Sequence, residues 1–300
     1  MYQAHFKLAE EAFSLSPDPR FIYFSSQHKE SLYKTEYAIT QKKGISAIYG
    51  EIGSGKTSLA RRLWEKYASS PDYNFRILPH SNYPSAYQLV KDILKEFKID
   101  KPTRSISDAL DALQAYLTQE YTQGKITVVV IDEAQDLRPK NFETIRQLLN
   151  FENNREKLLQ IVLFGQNDLS TKLDRQPALK DRIVTWGALT NLTFEDSLEL
   201  INFRWRVAGG AEAAPFDQEA LQAVYFYSNG LPRKISNICT NALIRTVASG
   251  LSVVNKDIVE YVAKEIRLDP EMMKVKRIGR PKKTEIAHKP VWTTKIKNQP

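Results

Sequence analysis

One octapeptide constrains this chain more than any other stretch. Gly50-Glu51-Ile52-Gly53-Ser54-Gly55-Lys56-Thr57 meets the pattern GxxxxGK[ST] at every fixed position. It follows an apolar run at 45–49 and opens a segment, 57–68, in which Leu59, Leu63 and Tyr67 recur on one helical stripe. A strand, a glycine turn and a helix in that order leave backbone amides free to converge on phosphate oxygens, and the helix N-terminus adds partial positive charge. The candidate phosphate-binding residues are therefore Gly50, Glu51, Ile52, Gly53, Ser54, Gly55, Lys56, Thr57 and Ser58. In this pattern Lys56 reaches the β and γ phosphates and Thr57 offers its hydroxyl to Mg²⁺.

Such a loop needs an acid at the end of a neighbouring strand. The run 126–131, Ile-Thr-Val-Val-Val-Ile, is the most apolar β-branched stretch of the chain, as a strand covered on both faces should be. It delivers Asp132 and Glu133. Asp132 is expected to hold Mg²⁺ through water, and Glu133 to polarise a water for attack on the γ phosphate. Adjacent carboxylates also suit a solvated turn, but the loop about 75 residues upstream favours the chemical reading. Gln166 follows a further apolar run, 161–164, where a polar side chain can sit between Glu133 and the γ phosphate. Arg233, in Gly230-Leu-Pro-Arg233, opens a later helix and could reach back to the nucleotide.

Strands alternate with helical patterns from 45 to 191, which implies an α/β parallel sheet sandwiched by helices. Before it, residues 1–44 hold an aromatic, proline-punctuated segment and a helical run at 26–40, expected to pack on the core. After it, 192–269 reads as four helices, at 194–207, 217–228, 232–248 and 255–267. Asp217 and Asn255 suit N-caps there, and Gly209, Gly230 and Gly250 suit stops. This is a small all-helical second domain. Residues 270–300 form a basic tail without apolar periodicity.

With 42% hydrophobic and 26% charged residues, the composition is that of an ordinary globular protein. A single cysteine, Cys239, excludes a disulfide framework, and the four histidines show no metal-ligand spacing. No run approaches the roughly 18 apolar residues of a membrane span, and the N-terminus does not read as a signal peptide. The expectation is a cytoplasmic protein without a membrane partner. Nine basic residues against one acid, Glu285, fall between 274 and 300, a surplus equal to the whole net charge of +8. Contact with a polyanion and a solubilising extension both suit such a tail.

The order of loop, paired acids, polar residue and helical arginine resembles an AAA+ ATPase. Within that class the chain is similar to the ExeA/GspA-like group, which includes transposition ATPases of the TnsC/TniB kind. The residues that carry the likeness are Phe13-Ser-Leu-Ser-Pro-Asp-Pro-Arg-Phe, the loop at 50–57, Ile131-Asp-Glu-Ala-Gln135 and Gly230-Leu-Pro-Arg233. The resemblance implies a five-stranded parallel sheet with a helical lid, and assembly into rings or filaments of identical subunits with ATP between them. It also implies an arginine offered to the neighbour's γ phosphate, for which Arg182 is the first candidate and Arg175 the second.

Lys276-Arg277-Ile278-Gly279-Arg280-Pro281-Lys282-Lys283 resembles an AT-hook, with Ile278 where an arginine is usual. Arg277, Arg280, Lys282 and Lys283 are the candidate DNA contacts. The leading expectation is an ATP-dependent regulator of transposition that oligomerises on double-stranded DNA, engages a transposase and a TniQ-like target-selection protein, and disassembles on hydrolysis. Two alternatives stay open: an ATPase energising a secretion or pilus-assembly system, and a non-hydrolysing nucleotide switch.

Overall fold

The computed structural model describes residues 2–15, 18–78, 81–210 and 213–268. The chain begins with a short α1 (Tyr2–His5), then α2 (Ser26–Thr40), β1 (Ile45–Gly50), α3 (Lys56–Tyr67) and β2 (Tyr73–Leu78). Next come α4 (Ala86–Glu96), α5 (Ile106–Thr122), β3 (Ile126–Ile131), α6 (Pro139–Leu148) and β4 (Leu159–Gly165). After α7 (Asn167–Asp174), α8 (Pro177–Lys180) and β5 (Ile183–Leu189) the chain is helical: α9 (Phe194–Val207), α10 (Gln218–Ser228), α11 (Pro232–Ala248) and α12 (Lys256–Glu265).

The five strands form one sheet of order β2-β3-β4-β1-β5, and every pair is parallel. Side chains alternate between two cores, as the period of a strand requires. Val129, Ile131, Ile161 and Leu163 face α4–α7, whereas Val128, Val130, Val162 and Phe164 face α2 and α3. The register pairs Ile131 with Leu163 and Leu163 with Ala47. The ends of β3, β4 and β1 therefore come level, and the residues after them meet at one edge of the sheet. Open parallel sheets bind ligands at that edge.

A third core holds α9–α12 together, with Leu200, Trp205, Ile235, Ile238, Leu243 and Val259 among its members. Asp217 and Asn255 cap α10 and α12 through bonds to the amides of Ala220 and Ile258. Tyr2, Phe13 and Phe21 are buried in this same core. The early aromatic segment thus covers the helical bundle, while α2 lies along β1 and β5 of the sheet. Residues 1–44 therefore divide between two cores, the aromatics going to the bundle and α2 to the sheet. Four helices, α1, α6, α7 and α8, have no counterpart among the helical runs expected from the sequence. The AT-hook-like run, with Arg277, Arg280, Lys282 and Lys283, lies outside the described residues.

Candidate functional site

The loop between β1 and α3 is held in shape from two sides. Gly53 has φ +84°, and a Cβ there would lie 2.7 Å from the Cβ of Arg233. Gly55 has φ +103°, and a Cβ there would lie 2.8 Å from Nε2 of His28. Both positions need the left-handed region, and neither has room for a side chain. The two glycines therefore admit α11 on one side and α2 on the other.

His28 is buried beneath the loop. Its Nε2 stands 2.8 Å from the Ser54 carbonyl and its Nδ1 stands 2.7 Å from the Ser25 hydroxyl. A carbonyl only accepts, so the proton sits on Nε2 and the Ser25 hydroxyl donates to Nδ1. Burial pushes the imidazole below its usual pKa, outweighing the favourable Ser54 carbonyl and Asp196 carboxylate. An unfolded histidine takes up its proton near pH 6.5 and the folded one only at lower pH, so the unfolded state binds more protons between the two values. This stability contribution is complete above about pH 6.5 and is lost as pH falls toward the folded pKa, at a limiting slope of about 1.4 kcal/mol per pH unit. Urea midpoints measured from pH 7.5 to 5 should fall more steeply for the wild type than for His28→Gln; parallel curves would refute the assignment.

Lys56 is 6% exposed, and its ammonium donates to the carbonyls of Gly50 (3.0 Å) and Glu51 (2.8 Å). Burial lowers its pKa, opposed by the carboxylates of Glu133 and Asp132. The cation thus rests on neutral oxygens at the foot of the loop. Thr57 donates to Asp132 Oδ2 at 3.2 Å. Burial raises the Asp132 pKa, and the Glu133 charge adds to that rise. A hydroxyl and a carboxylate side by side are hard oxygen donors of the kind Mg²⁺ takes.

Glu133 has φ +51° and ψ +38°, a left-handed conformation that costs a non-glycine residue about 1–3 kcal/mol. Its neighbours pin it there. The Glu133 amide donates to Asp132 Oδ1 (2.9 Å), and its carbonyl accepts from the Ser81 hydroxyl (2.8 Å). Its Oε2 accepts from Gln135 Nε2 (2.7 Å) and Gln166 Nε2 (3.3 Å). Strain at such a position marks functional sites.

Arg233 sits in the first turn of α11, behind Pro232, and its amide reaches the Gly53 carbonyl at 3.4 Å. A cavity of about 760 Å³ lies between the loop, the Asp132–Glu133 edge and the bundle. Lys56, Thr57, Arg61 and Arg233 line its polar part; Leu15, Ile22, Ile52, Trp64 and Pro232 supply apolar wall. Arg204 lines it too, donating to the carbonyls of Phe21 (3.1 Å) and Ser14 (3.1 Å) and to the Ser236 hydroxyl (3.1 Å). Burial lowers its pKa. His28, Arg204 and the role of Gln135, named above only within the run 131–135, are what sequence reasoning missed here.

The structure brings Lys56, Thr57, Asp132, Glu133, Gln166 and Arg233 together, and sets Arg175 and Arg182 apart. Arg182 precedes Ile183, whose partner is Ile45, so it lies at the opposite end of the sheet from the loop. It donates to the Arg146 carbonyl (3.0 Å) and Asn150 Oδ1 (2.6 Å). Arg175 is exposed at the end of α7. Neither pairs with Asp174, which holds Lys180 at 2.7 Å.

Residues 39–173 match the sequence profile described as AAA domain. The chain is 35% identical over 264 residues to General secretion pathway protein A of Aeromonas hydrophila, covering 86% of this chain and 47% of that protein. It therefore spans about half the length of that relative. It is also similar to a potential ATP-binding protein of Staphylococcus aureus, at 23% identity over 72% of this chain and 86% of the other. Among solved structures, the fold is that of Cdc6p from Pyrobaculum aerophilum (TM-score 0.66, 19% identity, 86% of this chain and 72% of that one). Drosophila ORC bound to DNA is similar as well (TM-score 0.62, 18% identity, 91% of this chain and 68% of that one). Among the described residues, no helix is long and apolar enough to cross a membrane.

Proposed function

We propose that the chain is a Mg²⁺-dependent ATPase whose bound nucleotide sets the contact between the loop and the helical bundle. The observation that carries this reading is the meeting of Arg233 with Gly53 over a cavity that also holds Lys56, Asp132 and Glu133. Lys56 leaves the carbonyls of Gly50 and Glu51 for phosphate oxygens, and the loop amides complete the cradle. Thr57 and Asp132 would hold Mg²⁺, which when bound would neutralise charge on the phosphates. Glu133 takes the proton of an attacking water, Gln166 stands beside it, and Arg233 reports the phosphate to α11 as the bundle acts as a lid. The apolar wall of Leu15, Ile22, Ile52 and Pro232 suits the base.

Copies of the chain assemble so that one offers an arginine to the next. Arg175 has the freer guanidinium, whereas Arg182 would first have to leave Arg146 and Asn150. The Aeromonas relative supports work on a secretion system, the reading held second on sequence alone. The basic run at 274–300 supports the other reading, a regulator of transposition that assembles on double-stranded DNA and meets a transposase and a TniQ-like protein.

Phosphate release with Mg²⁺ and ATP tests the first claim, and a wild-type chain that hydrolyses nothing refutes it. Duplex binding at low salt, with a non-hydrolysable ATP analogue, separates the partners. If DNA is the partner, deleting 274–300 flattens the plot of log K against log salt, because fewer counterions are released. Indifference to duplex at low salt leaves the secretion reading.

A further inference from the structure

Gln135 is 5% exposed and belongs to none of the roles assigned above. Its side-chain amide uses both ends. Nε2 donates to Glu133 Oε2 at 2.7 Å, and Oε1 accepts the backbone amide of Gln166 at 2.9 Å. Its own carbonyl accepts from the Lys172 ammonium of α7. A Cβ on Gly165 would lie 2.6 Å from Leu169 Cδ2 and 3.1 Å from Gln135 Oε1, so the end of β4 leaves room for Leu169 and for this amide together. One planar group therefore ties the carboxylate after β3 to the backbone after β4. Gln166 Nε2 also engages Oε2 of Glu133, at 3.3 Å. Both amide donors converge on the same oxygen, and among the described residues no bond is formed by Oε1 of Glu133, a residue that lines the cavity.

We propose that Gln135 is a positioning residue for hydrolysis: it fixes the Glu133 carboxylate by Oε2 so that Oε1 is the oxygen presented to the attacking water. This rests on the ATPase reading above. A carboxylate turns freely about its last bond, and two donors on one oxygen stop that turn. The left-handed backbone of Glu133 fixes where the side chain starts, and Gln135 fixes where it ends. Gln135 is not among the residues that line the cavity, so it acts on turnover and not on binding.

The test uses the full chain and two variants. Gln135→Met keeps the volume and removes both hydrogen bonds. Its kcat should fall about 10- to 100-fold, the penalty of a misplaced reacting group. KM and the affinity for a fluorescent ATP analogue should stay within about twofold. Gln135→Glu keeps the shape but sets a second carboxylate against Glu133. Only its protonated form can donate to Oε2, so its kcat relative to wild type should rise as pH falls from 8 to 6. A structural role would not move that ratio. Wild-type kcat in Gln135→Met, or a flat ratio in Gln135→Glu, would overturn the proposal; if Gln135→Met does not fold, the ratio alone decides. A wild-type chain without turnover in the same assay overturns the ATPase reading and this one with it, whereas an active wild type beside an equally active Gln135→Met overturns this one alone.

Discussion

Glu133→Gln should hold nucleotide normally and turn it over about 10²- to 10⁴-fold more slowly, the range that general-base catalysis contributes. The amide has the size of the carboxylate, and its remaining oxygen can still accept from Gln135 Nε2 and Gln166 Nε2. The backbone grip of Asp132 Oδ1 and the Ser81 hydroxyl does not involve the side chain at all. What disappears is the ability to take a proton. Phosphate release measured beside retention of a fluorescent ATP analogue separates the two effects. The same pair of measurements excludes a non-hydrolysing switch, for which the variant and the wild type would behave alike. Turnover within twofold of wild type would remove Glu133 from the mechanism. If nucleotide drives assembly, the variant should also keep its assembled form for longer, which light scattering after ATP addition would follow.

The parts legible in the sequence are those written in neighbouring residues. The loop declares itself by glycine spacing, and β3 by four apolar β-branched residues in a row before two acids. Helices α9, α10 and α12 are capped by Thr193, Asp217 and Asn255, and α11 opens on Pro232, so their bounds fell within two residues of the structure. Helices α6 to α8 run for 10, 8 and 4 residues between β3 and β5, too short for a period of 3.6 to repeat convincingly. The missed residues share another cause. His28 meets Ser54 across 26 positions, Gln135 meets Gln166 across 31, and Arg204 meets Phe21 across 183. Each looks ordinary where it stands in the chain, and gains a role only when the packing of α2 on the sheet, the adjacency of β3 and β4, or the folded-back aromatic segment supplies its partner. The early aromatics show the same limit. Their burial follows from composition, but whether they cover sheet or bundle depends on which face is left open.

Lys56→Ala should weaken ATP binding about 10²- to 10³-fold, the scale expected when one member of a buried, hydrogen-bonded charge pair is truncated. The chain without nucleotide should melt close to the wild-type temperature. Both halves follow from the same geometry. In the structure the ammonium is buried against two backbone carbonyls, and among the described residues no carboxylate is hydrogen-bonded to it, so its desolvation is offset only in part. Removing it relieves that burden while opening the two carbonyls to water in the cavity, and the two changes oppose each other. A triphosphate reverses the balance, because the desolvated cation then faces full negative charge. A thermal-shift titration reads this directly. At 100 times the dissociation constant, ligand should stabilise the wild type by about 2.7 kcal/mol, and at the same concentration the variant should gain about 1 kcal/mol or less. A variant that melts with the wild type and is stabilised equally by ATP would mean that phosphate is not held at Lys56, and the cavity beside Gly53 and Arg233 would need another occupant. A variant that melts far below the wild type would instead make Lys56 a structural cation, contrary to the contacts it makes here.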